Sequence, residues 1–259
     1  MDLGLKDKRA LVTGASAGLG FAAAAALAAE GVRVTINGRD RDRLEKAAER
    51  IHEATKQTPA CIAGDVSKSD DCSRLVREAG DVDILVSNAG GPPPGQFLEH
   101  TPERWQEAHD LVLRSAVNLT YGVLQGMIDR GWGRIIYITS IGVLQPVDAL
   151  VLSNAYRAGV TGMCKTLSGN YARHGITFNC VCPGYTATER LNNLARTVAE
   201  QSGQTPEQVI DGFAGLSPAG RVGKPEELAA LITFLAGRPA AYISGASIPC
   251  DGGLYRGLV

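Results

Sequence analysis

The 259-residue sequence lacks an excess of charge of either sign. Its 26 Lys and Arg stand against 27 Asp and Glu, for a net charge of −1. No basic field is therefore present to attract nucleic acid or an anionic membrane. Long hydrophobic runs are missing too. The longest low-polarity stretch, Phe21 to Ala29, falls far below the ~20 residues of a membrane span. The opening MDLGLKDKRALVTG has no cationic segment leading into an apolar one, so it does not read as a secretory signal and the expected compartment is the cytoplasm. Disulfide framing is absent. Cys61, Cys72, Cys164, Cys180, Cys182 and Cys250 are scattered, as befits thiols kept reduced. Cys180-Val181-Cys182 has no second pair and reads as buried thiols of a strand, and the four histidines show no helical ligand pairing, so no metal is expected.

Hydrophobic residues at 44% and charged residues at 20% exclude a disordered chain and suffice for a core. Glycine is the one excess: 31 in 259 residues, about 12% against an average of roughly 7%. Spread without a Gly-X-Y period, these residues imply tight turns or close backbone approaches to a ligand.

Short β-branched runs alternate with longer Ala- and Leu-rich stretches of helical period. Strands are expected at Arg9–Thr13, Val32–Ile36, Ala60–Ala63, Asp83–Ser87, Arg134–Thr139, Thr177–Val181 and near Ala246–Pro249. Helices are expected at Leu19–Ala29, Arg41–Thr55, Lys68–Ala79, Pro102–Arg130, Ser153–Arg173 and Pro225–Ala236. This alternation implies right-handed crossovers and an α/β fold, a Rossmann-type doubly wound parallel sheet of about seven strands with helices on both faces. No linker interrupts it, so residues 1–259 read as a single domain. Gly203–Leu216 is the least regular long region. With a helix starting near Glu189, residues 189–216 read as a substrate lid at the carboxyl edge of the sheet.

The first strand runs into Thr13-Gly14-Ala15-Ser16-Ala17-Gly18-Leu19-Gly20, and a helix follows. Glycines in this context allow a tight turn, backbone approach to a pyrophosphate and close helix–strand packing, while the helix amino terminus attracts the anion. Dinucleotide folds that bind NAD place a carboxylate at the end of the second strand. Here that segment is Ile36-Asn37-Gly38-Arg39. The Arg39 guanidinium suits a 2′-phosphate, with Ser16 and Asn37 as neutral donors, so NADP(H) is expected over NAD(H).

With these motifs the chain resembles the short-chain dehydrogenase/reductase family over essentially its whole length. The resemblance rests on Thr13–Gly20, Gly64-Asp65-Val66, Asn88-Ala89-Gly90, Pro183-Gly184-Tyr185-Thr186-Ala187-Thr188, Gly220–Glu227 and Asp251-Gly252-Gly253. It implies that Asp65 and Val66 frame the adenine, that Asn88, Ala89 and Gly90 line the dinucleotide with Pro183, Gly184 and Thr186, and that Thr188 holds the nicotinamide amide or a phosphate. It also implies a homotetramer or dimer formed by the long helices and the carboxyl tail.

The family's chemistry uses a serine, a tyrosine, a lysine one helical turn beyond it and an asparagine on the preceding long helix. Ser140 fills the serine position. Counting from Ser140 places the tyrosine position on Ser153, and counting back from Gly175 places the lysine position on Arg157; from Trp105 the asparagine position falls on Val112. Asn118 lies on a different face of that helix. Arg157 retains a positive charge for the nicotinamide ribose but shuttles protons poorly. Tyr156 and Tyr185 are alternative phenols near the site. Three readings follow: an NADPH-dependent reductase of a carbonyl, iminium or activated enone with an atypical proton donor; a non-redox enzyme using the same pocket for cyclisation, isomerisation or elimination; or a nucleotide-binding protein without catalysis. The partner is a small molecule, and neither the lid nor Gly91–Gly95 carries charges that demand an anionic or cationic one.

Overall fold

The computed structural model describes residues 1–258. Seven parallel strands among them form one sheet: β1 (Arg9–Val12), β2 (Arg33–Gly38), β3 (Ala60–Ala63), β4 (Ile84–Ser87), β5 (Gly133–Ile138), β6 (Ile176–Pro183) and β7 (Ser247–Cys250), in the order β3-β2-β1-β4-β5-β6-β7. The doubly wound sheet expected from the alternation is thus present. The strand order reverses between β1 and β4, and the crevice at such a switch point is where open α/β sheets bind ligands.

Side-chain alternation divides the core into two layers. Ala10, Val12, Ile36, Val86, Ile136 and Ile138 face α1 (Gly18–Ala29), α2 (Arg41–Thr55) and α9 (Pro225–Ala236). Leu11, Leu85, Ile135, Tyr137 and Cys180 face α3 (Ser69–Ala79), the helix ending at Arg130, and α6 (Val151–Tyr171). A strand flanked by helices on both sides must be apolar on both faces, which explains the continuous hydrophobic runs.

Two segments depart from the sequence reading. The expected helix Pro102–Arg130 is divided into α4 (Pro102–His109), a π-helical turn over Asp110–Arg114, and α5 (Ser115–Arg130). Ser115 Oγ donates to the carbonyl of Leu111 at 2.6 Å, taking up a backbone acceptor in the widened turn. Gly203–Leu216 is regular from Pro206: α7 (Glu189–Ser202) and α8 (Pro206–Leu216) form a helical hairpin with a small core of Ala195, Ala199 and Val209. The signal for α8 is local, a capping box in which Thr205 and Gln208 bond each other's backbone N–H, with Pro206 at the first helical position. Among the described residues no helix is long and apolar enough to cross a membrane.

Candidate active site

The glycine turn after β1 is built against the end of β4. Thr13 Oγ1 donates to the Asn88 carbonyl at 2.8 Å and accepts from the Asn88 N–H at 2.9 Å, while Asn88 Nδ2 donates to the Gly14 carbonyl at 3.1 Å. Gly14 has φ +57°, and a Cβ there would come within 2.8 Å of Asn88 Nδ2. A Cβ on Gly20 would collide with the Gly14 carbonyl. Both positions therefore exclude a side chain, for conformation in the first case and for backbone proximity in the second. Ala17 caps α1 without any side-chain bond, so the first-turn N–H groups, from Gly18 through Leu19, are free for an anion. A dinucleotide pyrophosphate fits this cradle.

At the end of β2, Arg39 is exposed, and Ser16 Oγ lies 3.3 Å from where a Gly38 Cβ would stand. Asp40 accepts the Arg43 N–H at 3.0 Å as the cap of α2, so the nearest carboxylate is turned to the helix. Asn37 is placed otherwise than expected. Its Nδ2 donates to the carbonyls of Ile62 and Gly64 at 3.0 and 3.1 Å, and the residue is 1% exposed. Both amide hydrogens bind β2 to β3, leaving none for a phosphate.

The remaining cofactor candidates line the same edge. Asp65 Oδ1 accepts from the Ser67 backbone and hydroxyl, and Val66 is buried beside it. Ala89 is half-buried under the switch point, and Gly90 faces open space. At the end of β6, Pro183 pairs with Cys250 of β7, Gly184 abuts Asp251, and Thr186 Oγ1 donates to the Gly184 carbonyl at 3.2 Å. Thr188 caps α7, accepting from the Leu191 N–H at 3.4 Å, and its methyl lies 3.6 Å from a Cβ built on Gly18. The loop thus closes over the glycine turn, and Arg43 on α2 meets Glu189 on α7 at 2.8 Å.

The candidate reacting residues lie after β5 and on α6. Ser140 caps a short 3-10 turn, its Oγ accepting from the Gly142 N–H at 3.0 Å. Arg157 is 9% exposed; its Nη1 donates to the Ile138 carbonyl at 2.8 Å and its Nε to Ser153 Oγ at 3.2 Å. Ser153 and Arg157 meet because four residues make about one helical turn. Burial, reinforced by the charge of Arg190, pushes Arg157 down to about 10, so it stays protonated at neutral pH. Val112, which the spacing from Trp105 assigns to the asparagine position, belongs to the π-helical turn. With Ser87, Ser115, Thr139 and Arg157 it lines a cavity of about 20 Å³, room for one water with polar partners.

The two phenols are placed elsewhere. Tyr156 packs edge-on against the rings of Trp105 and His109, with centroids 5.8 and 5.6 Å away, because one residue before Arg157 is about 100° around the helix. Tyr185 stacks on Phe213 of α8 at 4.4 Å, and burial pushes its phenol up, the wrong direction for a proton donor. Asn118 faces away, donating to Ser69 Oγ. Arg190, on the first turn of α7, reaches the carbonyls of Gly91 and Pro92 on the loop after β4 at 2.9 and 3.2 Å.

Comparison with known proteins agrees with this architecture. Residues 14–255 match the family described as enoyl-(acyl carrier protein) reductase. The acetoacetyl-CoA reductase of Rhizobium meliloti is 37% identical over 250 residues, covering 95% of this chain and 98% of that protein. The 3-oxoacyl-[acyl-carrier-protein] reductase of Synechocystis is 34% identical over 250 residues, covering 95% and 96%. The crystal structure of L-sorbose reductase from Gluconobacter frateurii, complexed with NADPH and L-sorbose, superposes with a TM-score of 0.95 at 32% identity, with both chains fully covered. On sequence motifs, fold and cleft alike, the chain belongs to the short-chain dehydrogenase/reductase family.

Proposed function

We propose that this NADP(H)-dependent oxidoreductase reduces the carbonyl group of a small acceptor, with Ser140 and Ser153 holding the carbonyl oxygen and Arg157 stabilising the negative charge that develops there. When bound, NADPH supplies the hydride. The observation that carries the reading is the bond from Arg157 Nε to Ser153 Oγ. Because Ser153 Oγ accepts from the guanidinium, its own proton remains free to donate. As that proton moves to the substrate oxygen, the charge left on Ser153 faces a cation in a buried site. Solvent then returns the proton to Ser153.

Serine is still a far weaker acid than a phenol, so the acceptor must be activated. A cationic iminium fits less well than a carbonyl or conjugated carbonyl, because the guanidiniums of Arg157 and Arg190 would repel it. The relatives named as acetoacetyl-CoA and 3-oxoacyl reductases support activated ketones as the class to test. The test is NADPH consumption with a panel of 2- and 3-oxo compounds, followed by transfer of deuterium from stereospecifically labelled NADPH into the product. Deuterium at the carbinol carbon is the expected result. Turnover without label transfer, or label transfer undiminished in Ser140→Ala and Ser153→Ala, would overturn the reading.

A further inference from the structure

Ser140 and Ser153 are joined by residues 141–152, so the path of that segment sets where one hydroxyl stands relative to the other. Residues 144–150, between the 3-10 turn Ile141–Val143 and the start of α6 at Val151, form a loop, and a loop at a sheet edge is ordinarily its loosest part. Here it is tied at two points. Asn154 Nδ2 donates to the Val147 carbonyl at 2.9 Å, and Asn154 Oδ1 accepts the Val147 N–H at 3.5 Å, so one carboxamide holds both backbone groups of one residue. Ala149 has φ +56°, a left-handed conformation that non-glycine residues avoid, and its carbonyl accepts the Gly95 N–H at 2.7 Å. A strained residue held against the neighbouring loop marks a conformation that its surroundings impose.

The same amide reaches the turn that Ser140 caps. Ser140 Oγ accepts the Gly142 N–H at 3.0 Å, which leaves the hydroxyl proton free to donate. A Cβ on Gly142 would stand 2.5 Å from Asn154 Oδ1 and 3.3 Å from Ser140 Oγ, so the bare Cα of Gly142 is wedged between the two side chains. Asn154 directly follows Ser153 on α6, and Ser153 Oγ is fixed in turn by Arg157. The two serine hydroxyls are therefore referenced to each other through one half-buried side chain and not through the loop alone. We propose that Asn154 is a positioning residue for the reduction: by holding Gly142 and Val147 it sets the Ser140 hydroxyl at the acceptor oxygen that Ser153 also contacts. This rests on the reductase reading. A donor displaced by about 1 Å loses most in the transition state, where its hydrogen bond is strongest.

The test is a double-mutant cycle read in turnover. Ethyl acetoacetate, or whichever 2- or 3-oxo compound the wild type reduces fastest, is reduced by NADPH with wild type, Asn154→Ala, Ser140→Ala and the double variant. Asn154→Ala is expected to lower kcat about tenfold, with KM changed less than about threefold, and to cost less than about twofold once Ser140 is already alanine. A merely structural role would give the same loss in both backgrounds. Gly142→Ala approaches the contact from the other side. Its methyl displaces the Asn154 amide, so it should lower kcat by a similar factor and add little to Asn154→Ala. It gives the same readout should Asn154→Ala fold poorly. Wild-type kcat in Asn154→Ala, or equal losses with and without Ser140, would overturn the proposal. A wild type that transfers no hydride to any oxo compound refutes the reductase reading and the proposal with it, whereas turnover without coupling to Ser140 refutes the proposal alone.

Discussion

Arg157 Nε donates to Ser153 Oγ at 3.2 Å within a single turn of α6, and the same guanidinium is anchored to the end of β5 through the Ile138 carbonyl at 2.8 Å. By spacing from Ser140 and Gly175 the pair matches the positions at which the resemblance places a tyrosine and a lysine, and we propose that it supplies a donor and a fixed positive charge without a phenol. Ser153→Ala is expected to lower kcat about 10²-fold, with a smaller change in KM, since a lost oxyanion-type donor acts mainly in the transition state. Arg157→Met should cost at least as much. Steady-state kinetics on both variants checks this; equal kcat in wild type and Ser153→Ala would remove Ser153 from the chemistry.

The pH profile of reduction should bear the imprint of Arg157. Its pKa is pushed down to about 10 by burial and by Arg190, and the active form is the protonated one. The rate is therefore expected to be level through neutral pH and to fall as pH rises toward 10. Arg157→Lys should move that fall to lower pH, because a lysine starts lower, at ~10.4, and burial lowers it further. A profile unchanged by Arg157→Lys would assign the limb to another group.

Cofactor choice depends on the end of β2. Replacing Arg39 with Asp removes a cation and adds a charge that repels the 2′-phosphate. NADPH affinity is expected to fall by about 10- to 100-fold, with NADH affinity unchanged or improved. Nucleotide fluorescence titration with both cofactors gives the ratio directly.

Gly14→Ala tests the cradle. At φ +57° the new methyl is strained by about 1–2 kcal/mol and also meets Asn88 Nδ2 at 2.8 Å. A lower Tm and weakened NADPH binding should appear together. A stable variant with unaltered binding would show that the turn can relax away from Asn88.

At the opposite edge of the sheet, Asp83 accepts from Arg9 Nε and Nη2 at 2.9 Å each and from the Arg9 N–H at 3.0 Å. Burial alone would raise its carboxyl, but Arg9 and Arg130 outweigh that and hold it below the usual range. A depressed folded pKa means stabilisation that is present above the ordinary carboxylate value and lost as pH falls through the folded one. Asp83→Asn should therefore be about 2 kcal/mol less stable than wild type at pH 7, with the gap narrowing on acidification in denaturant titrations.

Much of this molecule was legible as a pattern of neighbours along the chain. The spacing of Gly14, Gly18 and Gly20 between a strand and a helix, and the absence of an acid before Asp40, are local facts with local physical meanings. The capping box at Thr205–Gln208 was equally readable and marks α8. The π-helical turn at Asp110–Arg114 was not, since no glycine or proline interrupts that run.

The sequence by itself determined the parallel sheet and the cofactor cradle, because each depends on residue type at short spacing. Only the tertiary structure decided which groups stand free in the cleft. It spent the Asn37 amide on two carbonyls of neighbouring chain, turned Tyr156 to α4 and Tyr185 to α8, and carried Arg190 across 99 residues of sequence to Gly91. A side chain's chemistry depends on what already occupies its donors and on which charges share its enclosure, and distant segments supply both.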